Sequence, residues 1–155
     1  VNRVRIDKLN LDSKKPQECS SNFITAFVDG SHCPKTKAWG VGIWIKHNSD
    51  KGDIISEGGK GFKSAFQTES FGLKLLKKRL LADYDLEGKV IIIQCDCIPA
   101  LNKFEYQDLL TIGKAKHVKL KHVKAHTYNK TKRSYINELV DKVAYREMNK
   151  WRSKK

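Results

Sequence analysis

Long apolar runs are absent from these 155 residues. With no stretch of about eighteen or more apolar side chains, the chain offers no candidate for a membrane-spanning helix. The N-terminal stretch VNRVRIDKLNLDSKKPQECSSN also lacks the apolar segment that a secretory signal needs. Cysteine is scarce. Cys19, Cys33, Cys95 and Cys97 are spaced unlike a disulfide framework, and the last two are one residue closer than a C-x-x-C pair. Reduced thiols in an intracellular compartment, cytoplasmic or nuclear, are the expectation; a zinc site made from these thiols and a histidine is the alternative. In a strand, Cys95 and Cys97 would share one face and leave Asp96 on the other. Methionine occurs once, as Met148, and the chain opens on Val1, which reads as a segment of a longer polypeptide.

Negative charge is in short supply too. Lys and Arg number 31 against 17 Asp and Glu, a net charge of +14. A field this positive attracts a polyanion, nucleic acid before an anionic membrane or an acidic protein, although solubility alone is the plain alternative. A hydrophobic share of 39% and a charged share of 31% fit one soluble globular domain with a real core. Neither an internal repeat nor a low-complexity tract is present.

Residues 1–22 are polar and aperiodic, and read as a leader or linker. Residues 23–152 form the expected domain, with 153–155 as a basic tail. FITAFVD, AWGVGIWIKH and DIISEGGKGF are rich in β-formers and joined by short Gly- and Pro-bearing loops, which predicts an antiparallel meander. The period then changes. Glu69, Leu73, Leu76 and Leu80 recur at helical spacing, placing a carboxylate on the apolar stripe. KVIIIQCD (89–96) is apolar almost throughout, as in a strand covered on both faces. CIPALNKF, with Pro99 in its first turn, and EYQDLLTIGKAK predict short helices. HVKLKHVKAH predicts a strand, and a final helix runs from about 134 to 151. On that helix Asn137, Asp141, Ala144, Tyr145 and Met148 share a face. The order predicts an α/β domain, a mixed sheet with helices packed on it.

Four carboxylates fall at telling places. Asp29 ends the first strand, Glu69 opens the first long helix, Asp96 ends the central strand, and Asp141 lies on the last helix. If the first and fourth strands are parallel neighbours, Asp29 and Asp96 emerge side by side, where ligands gather in open sheets. Each acid alone has an ordinary explanation as a turn former, a first-turn residue or a surface charge. Together and buried they would repel, and a hard divalent cation such as Mg²⁺ or Mn²⁺ would relieve the repulsion.

These residues carry a resemblance to the ribonuclease H type 1 family, from about Phe23 to Met148. The matching pieces are AFVDGS (26–31), QTES (67–70), IIIQCD (91–96), VKAH (123–126) and NELVDKVA (137–144). The resemblance implies a five-stranded mixed sheet of order 3-2-1-4-5 with helices on both faces. It implies catalytic acids Asp29, Glu69, Asp96 and Asp141 holding two metal ions roughly 4 Å apart, with Asp29 bridging both. His126 would assist proton movement or product release. The substrate implied is an RNA–DNA hybrid, cut in its RNA strand by a domain acting as a monomer. Such a domain stands alone or belongs to a reverse transcriptase, phage or mobile-element protein. Gly30 and Ser31 would approach the nucleic-acid backbone and read ribose 2′-hydroxyls.

The chain also departs from the family. Ala65 and Phe66 stand where two asparagines commonly precede the helix glutamate, and SHCPKTK lacks an asparagine after Asp29. Ser64 and Gln67 are the candidate replacements for substrate contact. No separate basic helix fits between Asp96 and His126, where Lys114, Lys116, Lys119, Lys121 and Lys124 offer phosphate attraction instead. Two other readings stay open: an altered domain that binds nucleic acid or protein without cutting, and a DNA nuclease or strand transferase of the same fold.

Overall fold

A computed structural model describes residues 22–47, 52–123 and 132–153. The expected leader and tail, apart from Asn22 and Ser153, lie outside the described residues. Strands β1 (Phe23–His32), β2 (Ala38–His47) and β3 (Asp53–Lys60) form the meander. Helix α1 (Ala65–Asp83) leads to β4 (Val90–Cys95), short helices α2 (Ile98–Lys103) and α3 (Gln107–Thr111), and β5 (His117–His122). Helix α4 (Lys132–Arg152) closes the order. The sheet is open and mixed, ordered β3-β2-β1-β4-β5, with antiparallel pairing from β1 to β3 and parallel pairing of β1, β4 and β5.

Two layers of helix cover the sheet, and the pleat of β1 divides the core between them. Ile24, Ala26 and Val28 join Leu73, Leu76 and Leu80 of α1 in the larger cluster. Phe27, on the opposite face, meets Trp44, Val123 and Val140 of α4, with Phe27 and Trp44 edge to face at 5.8 Å. Trp39 and Trp44 are both buried, so these indoles serve packing. β2 is buried from Ala38 to Ile45, because helices sit on both of its faces. Helix α4 comes unusually close there: a Cβ at Gly40 would lie 2.3 Å from the Ala144 carbonyl oxygen, a distance no real side chain tolerates.

The helical stripe of α1 is as spaced in the sequence, with Glu69, Leu73, Leu76 and Leu80 all buried. Helix α4 differs in one respect from the expected face: Asn137, Ala144 and Met148 are buried, but Tyr145 is 48% exposed. One helical step of 100° past Ala144 is enough to turn it out to solvent. Among the described residues no helix is long and apolar enough to cross a membrane.

Candidate active site

Val28 pairs with Cys95 across the parallel β1–β4 ladder, and that ladder ends there. Asp29 and Asp96, one residue further on each chain, therefore leave it side by side. β1 itself does not end at Asp29, as the sequence suggests, but continues to His32 because β2 goes on pairing with it. What ends beside Asp29 is β4. Strict alternation ends with it, so Asp96 is not turned away from its neighbour: Glu69, Cys95 and Asp96 bring their potential ligand atoms within 4.8 Å of one another.

Asp29 is only 4% exposed and Glu69 6%. Burial, aided by the charges of Asp96 and Glu69, pushes the Asp29 carboxyl up to about 10, and its side chain hydrogen-bonds that of Asp141. Burial and the charge of Asp96 push Glu69 up to about 8, opposed by hydrogen bonds from Cys95, the Gly30 amide and Asp29. All four acids singled out in the sequence thus interact around Asp29. Among the described residues no lysine or arginine forms an ion pair with Asp29 or Glu69.

Small donors hold Glu69 in place. The Gly30 amide lies 3.0 Å from Glu69 Oε2 and 2.9 Å from Asp29 Oδ1. The Cys95 thiol donates to Glu69 Oε1 at 3.5 Å. Gly30 is bare for a local reason as well: a Cβ there would meet Thr68 at 2.9 Å and Glu69 Oε2 at 3.2 Å. Cys95 is the residue that sequence reasoning missed. Its position next to Asp96 was the only available signal, and the expected alternation pointed it elsewhere. Burial first, then the charge of Glu69, pushes the Cys95 thiol up, so near neutral pH it is a hydrogen-bond donor and not a soft ligand. Cys33, Cys95 and Cys97 are free thiols. No metal cage of cysteines and histidine occurs among the described residues, where the Glu69–Cys95–Asp96 group is the only candidate metal-binding cluster.

The donor set fits a hard divalent cation. Its oxygens are carboxylate oxygens, crowded together and holding protons far above their ordinary range for want of positive charge.

Ser64 and Gln67 stand at the start of α1 and cap it. Ser64 Oγ accepts from the Gln67 amide at 3.2 Å, while Gln67 Oε1 accepts from the Lys63 amide at 2.6 Å. This is close to a capping box. Ser31 pairs with Gly40 at the far end of β1 and is half-buried. His32 Nε2 reaches the Phe62 carbonyl at 2.7 Å, tying the end of β1 to the entry of α1. His126 and Lys124 lie outside the described residues. No protein-family model matches the chain, and no curated protein matches its sequence.

Proposed function

We propose that this chain is a ribonuclease H, a metal-dependent endonuclease that hydrolyses the RNA strand of RNA–DNA hybrids. The observation that carries this reading is the meeting of buried Asp29 with Glu69, Asp96 and Asp141 where β4 stops beside β1. The V-x-x-H and N-E-x-x-D-x-x-A stretches support it from the sequence, as does a net charge of +14. Asp29, Glu69, Asp96 and Asp141 are the residues that would hold two Mg²⁺ ions, with Mn²⁺ as a substitute. When bound, such ions supply Lewis acidity at a phosphate and an activated water.

The chain's own groups prepare that site. Asp29 stands between Glu69 and Asp141, the position a carboxylate shared by two ions requires. The Gly30 amide and the Cys95 thiol each fix one oxygen of Glu69, so its orientation is set before any ligand arrives. Ser64 uses its oxygen as a helix cap, which leaves the hydroxyl proton free to donate to a phosphate of the uncut strand. Gly30 and Ser31 follow Asp29 along β1 and are the proposed contacts to ribose. Gln67 adds a second polar group beside Ser64. His126 is assigned proton movement near the leaving group on the strength of the resemblance.

Labelled hybrid, duplex RNA and duplex DNA incubated with Mg²⁺, Mn²⁺ or chelator test the proposal. Cleavage confined to hybrid, dependent on metal and abolished by Asp29→Asn, is expected. Cutting of duplex DNA would replace this reading with a DNA nuclease, and tight binding without cleavage in either metal would replace it with a binding domain.

A further inference from the structure

Away from the four acids, a groove of about 480 Å³ runs between α1 and α2, within the ~300–1,000 Å³ range of sites that take side chains or small ligands. Its apolar lining comes from Phe66, Phe71, Leu73, Ala100 and Phe104, and its lysines are Lys74, Lys77 and Lys103. Phe66 is 37% exposed, a costly place for an aromatic ring with nothing over it. Lys77 is already engaged, 2.9 Å from the Glu105 carbonyl and 3.6 Å from Asp108. Lys74 and Lys103 are exposed and form no ion pair with any described residue. They stand on different helices, so positive charge flanks the apolar strip from both sides. Glu105 is the single acid in the lining, so the rim remains positive.

The rings decide between two kinds of polyanion. A nucleic acid strand gains from open aromatic faces on which bases stack. Here the rings are largely spent on one another. Phe62 stacks on Trp39 at 4.6 Å, Phe71 meets Trp39 edge-on at 4.8 Å and Phe62 at 5.7 Å, and Phe104 tilts against Tyr106 at 6.3 Å. What they leave toward the groove is apolar surface without a free face, extended by the aliphatic stems of the lysines. That surface suits Leu, Ile or Met side chains, and the flanking ammonium groups suit carboxylates beside them. We infer that the α1–α2 groove is a docking site for an acidic amphipathic helix of a partner protein, laid apolar side down. The inference stands independently of the nuclease reading.

The test uses the full chain and a synthetic helical peptide with Leu at i, i+3, i+4 and i+7 and Glu elsewhere. Its controls are a scrambled peptide of equal composition and a single-stranded oligonucleotide. In ¹⁵N–¹H spectra the Leu/Glu peptide shifts amides around Phe66, Phe71, Lys74 and Lys103, and the scrambled peptide does not. Fluorescence anisotropy then gives binding weakened about 10-fold or more by Lys74→Glu with Lys103→Glu, and weakened also by Phe66→Ser. Circular dichroism confirms that these variants remain folded, and cleavage of hybrid is unchanged in the lysine pair. Equal binding of both peptides, shifts elsewhere on the molecule, or an oligonucleotide that occupies the groove when the Leu/Glu peptide does not, would each overturn the inference.

Discussion

Asp29 carries two opposed demands. It must sit under the sheet's end, nearly out of water, and it must face three other carboxylates. Without a cation the conflict is met by protons, which is why its carboxyl is pushed up to about 10 and that of Glu69 to about 8. The sign of the pH dependence follows. The folded chain holds these protons more tightly than the unfolded chain, so the stability they contribute is complete below about pH 4. It is lost as pH rises through about 8 for Glu69 and about 10 for Asp29. In chelator, the urea midpoint of the wild type should therefore fall relative to that of Asp29→Asn between about pH 5 and 8. Asp29→Asn should melt higher by about 2–4 °C for each kcal/mol of repulsion relieved, while losing hybrid cleavage. A metal-free wild type whose midpoint tracks the variant at every pH would contradict the picture. Cys95 invites a separate measurement. Cys95→Ala removes the donor to Glu69 Oε1, and should weaken Mg²⁺ binding about 10-fold by calorimetry; Cys95→Ser, which keeps a donor, should lose less.

Among the elements, the seam between β2 and α4 matters most. Gly42 pairs with Asp29 across the antiparallel ladder, and a Cβ on it would lie 2.5 Å from the Val140 carbonyl oxygen. Val140 immediately precedes Asp141. The bare backbone of Gly42 thus sets how near Asp141 can come to Asp29. Gly42→Ala should push α4 outward, costing about 1–3 kcal/mol as overpacking does and lowering cleavage as well. Thermal unfolding and a hybrid assay check both effects, and an unchanged melting temperature would show that the helix has room to spare. At the other end of the site, α1 is started by its own cap. Ser64 and Gln67 were read as substrate contacts from their place near Glu69, and both turn out to satisfy backbone amides. Their capping work is local, and the pattern S-x-x-Q in the sequence already contains it.

At the level of the whole molecule, charge governs how a substrate is met. With a net charge of +14, binding of hybrid should release counterions, and affinity should fall at least about 10-fold between ~50 and ~200 mM salt. Filter binding in chelator, with cleavage suppressed, measures the slope; a flat dependence would mean that the lysines are a solvated coat and not a binding surface. The groove between α1 and α2 lies apart from the four acids. Its Lys74 and Lys103 should add little to that slope if they face a protein.

The alternation of β1, the four-three-four spacing from Glu69 to Leu80 and the apolar run before Asp96 are local patterns. Each side chain there answers to its neighbours along the chain, so strands, helices and their order were readable without coordinates. The four acids could be named for the same reason, since each falls at the end of an element or on its inner face. Tertiary structure decided what those elements do to one another. It ended β4 beside Val28 and let β1 run on with β2, which set Asp96 next to Asp29 and drew Cys95 in toward Glu69. It also spent the bare face of Gly30 on Glu69. These outcomes depend on contacts between residues some forty to seventy positions apart, where burial and repulsion act through space and leave no period in the sequence to read.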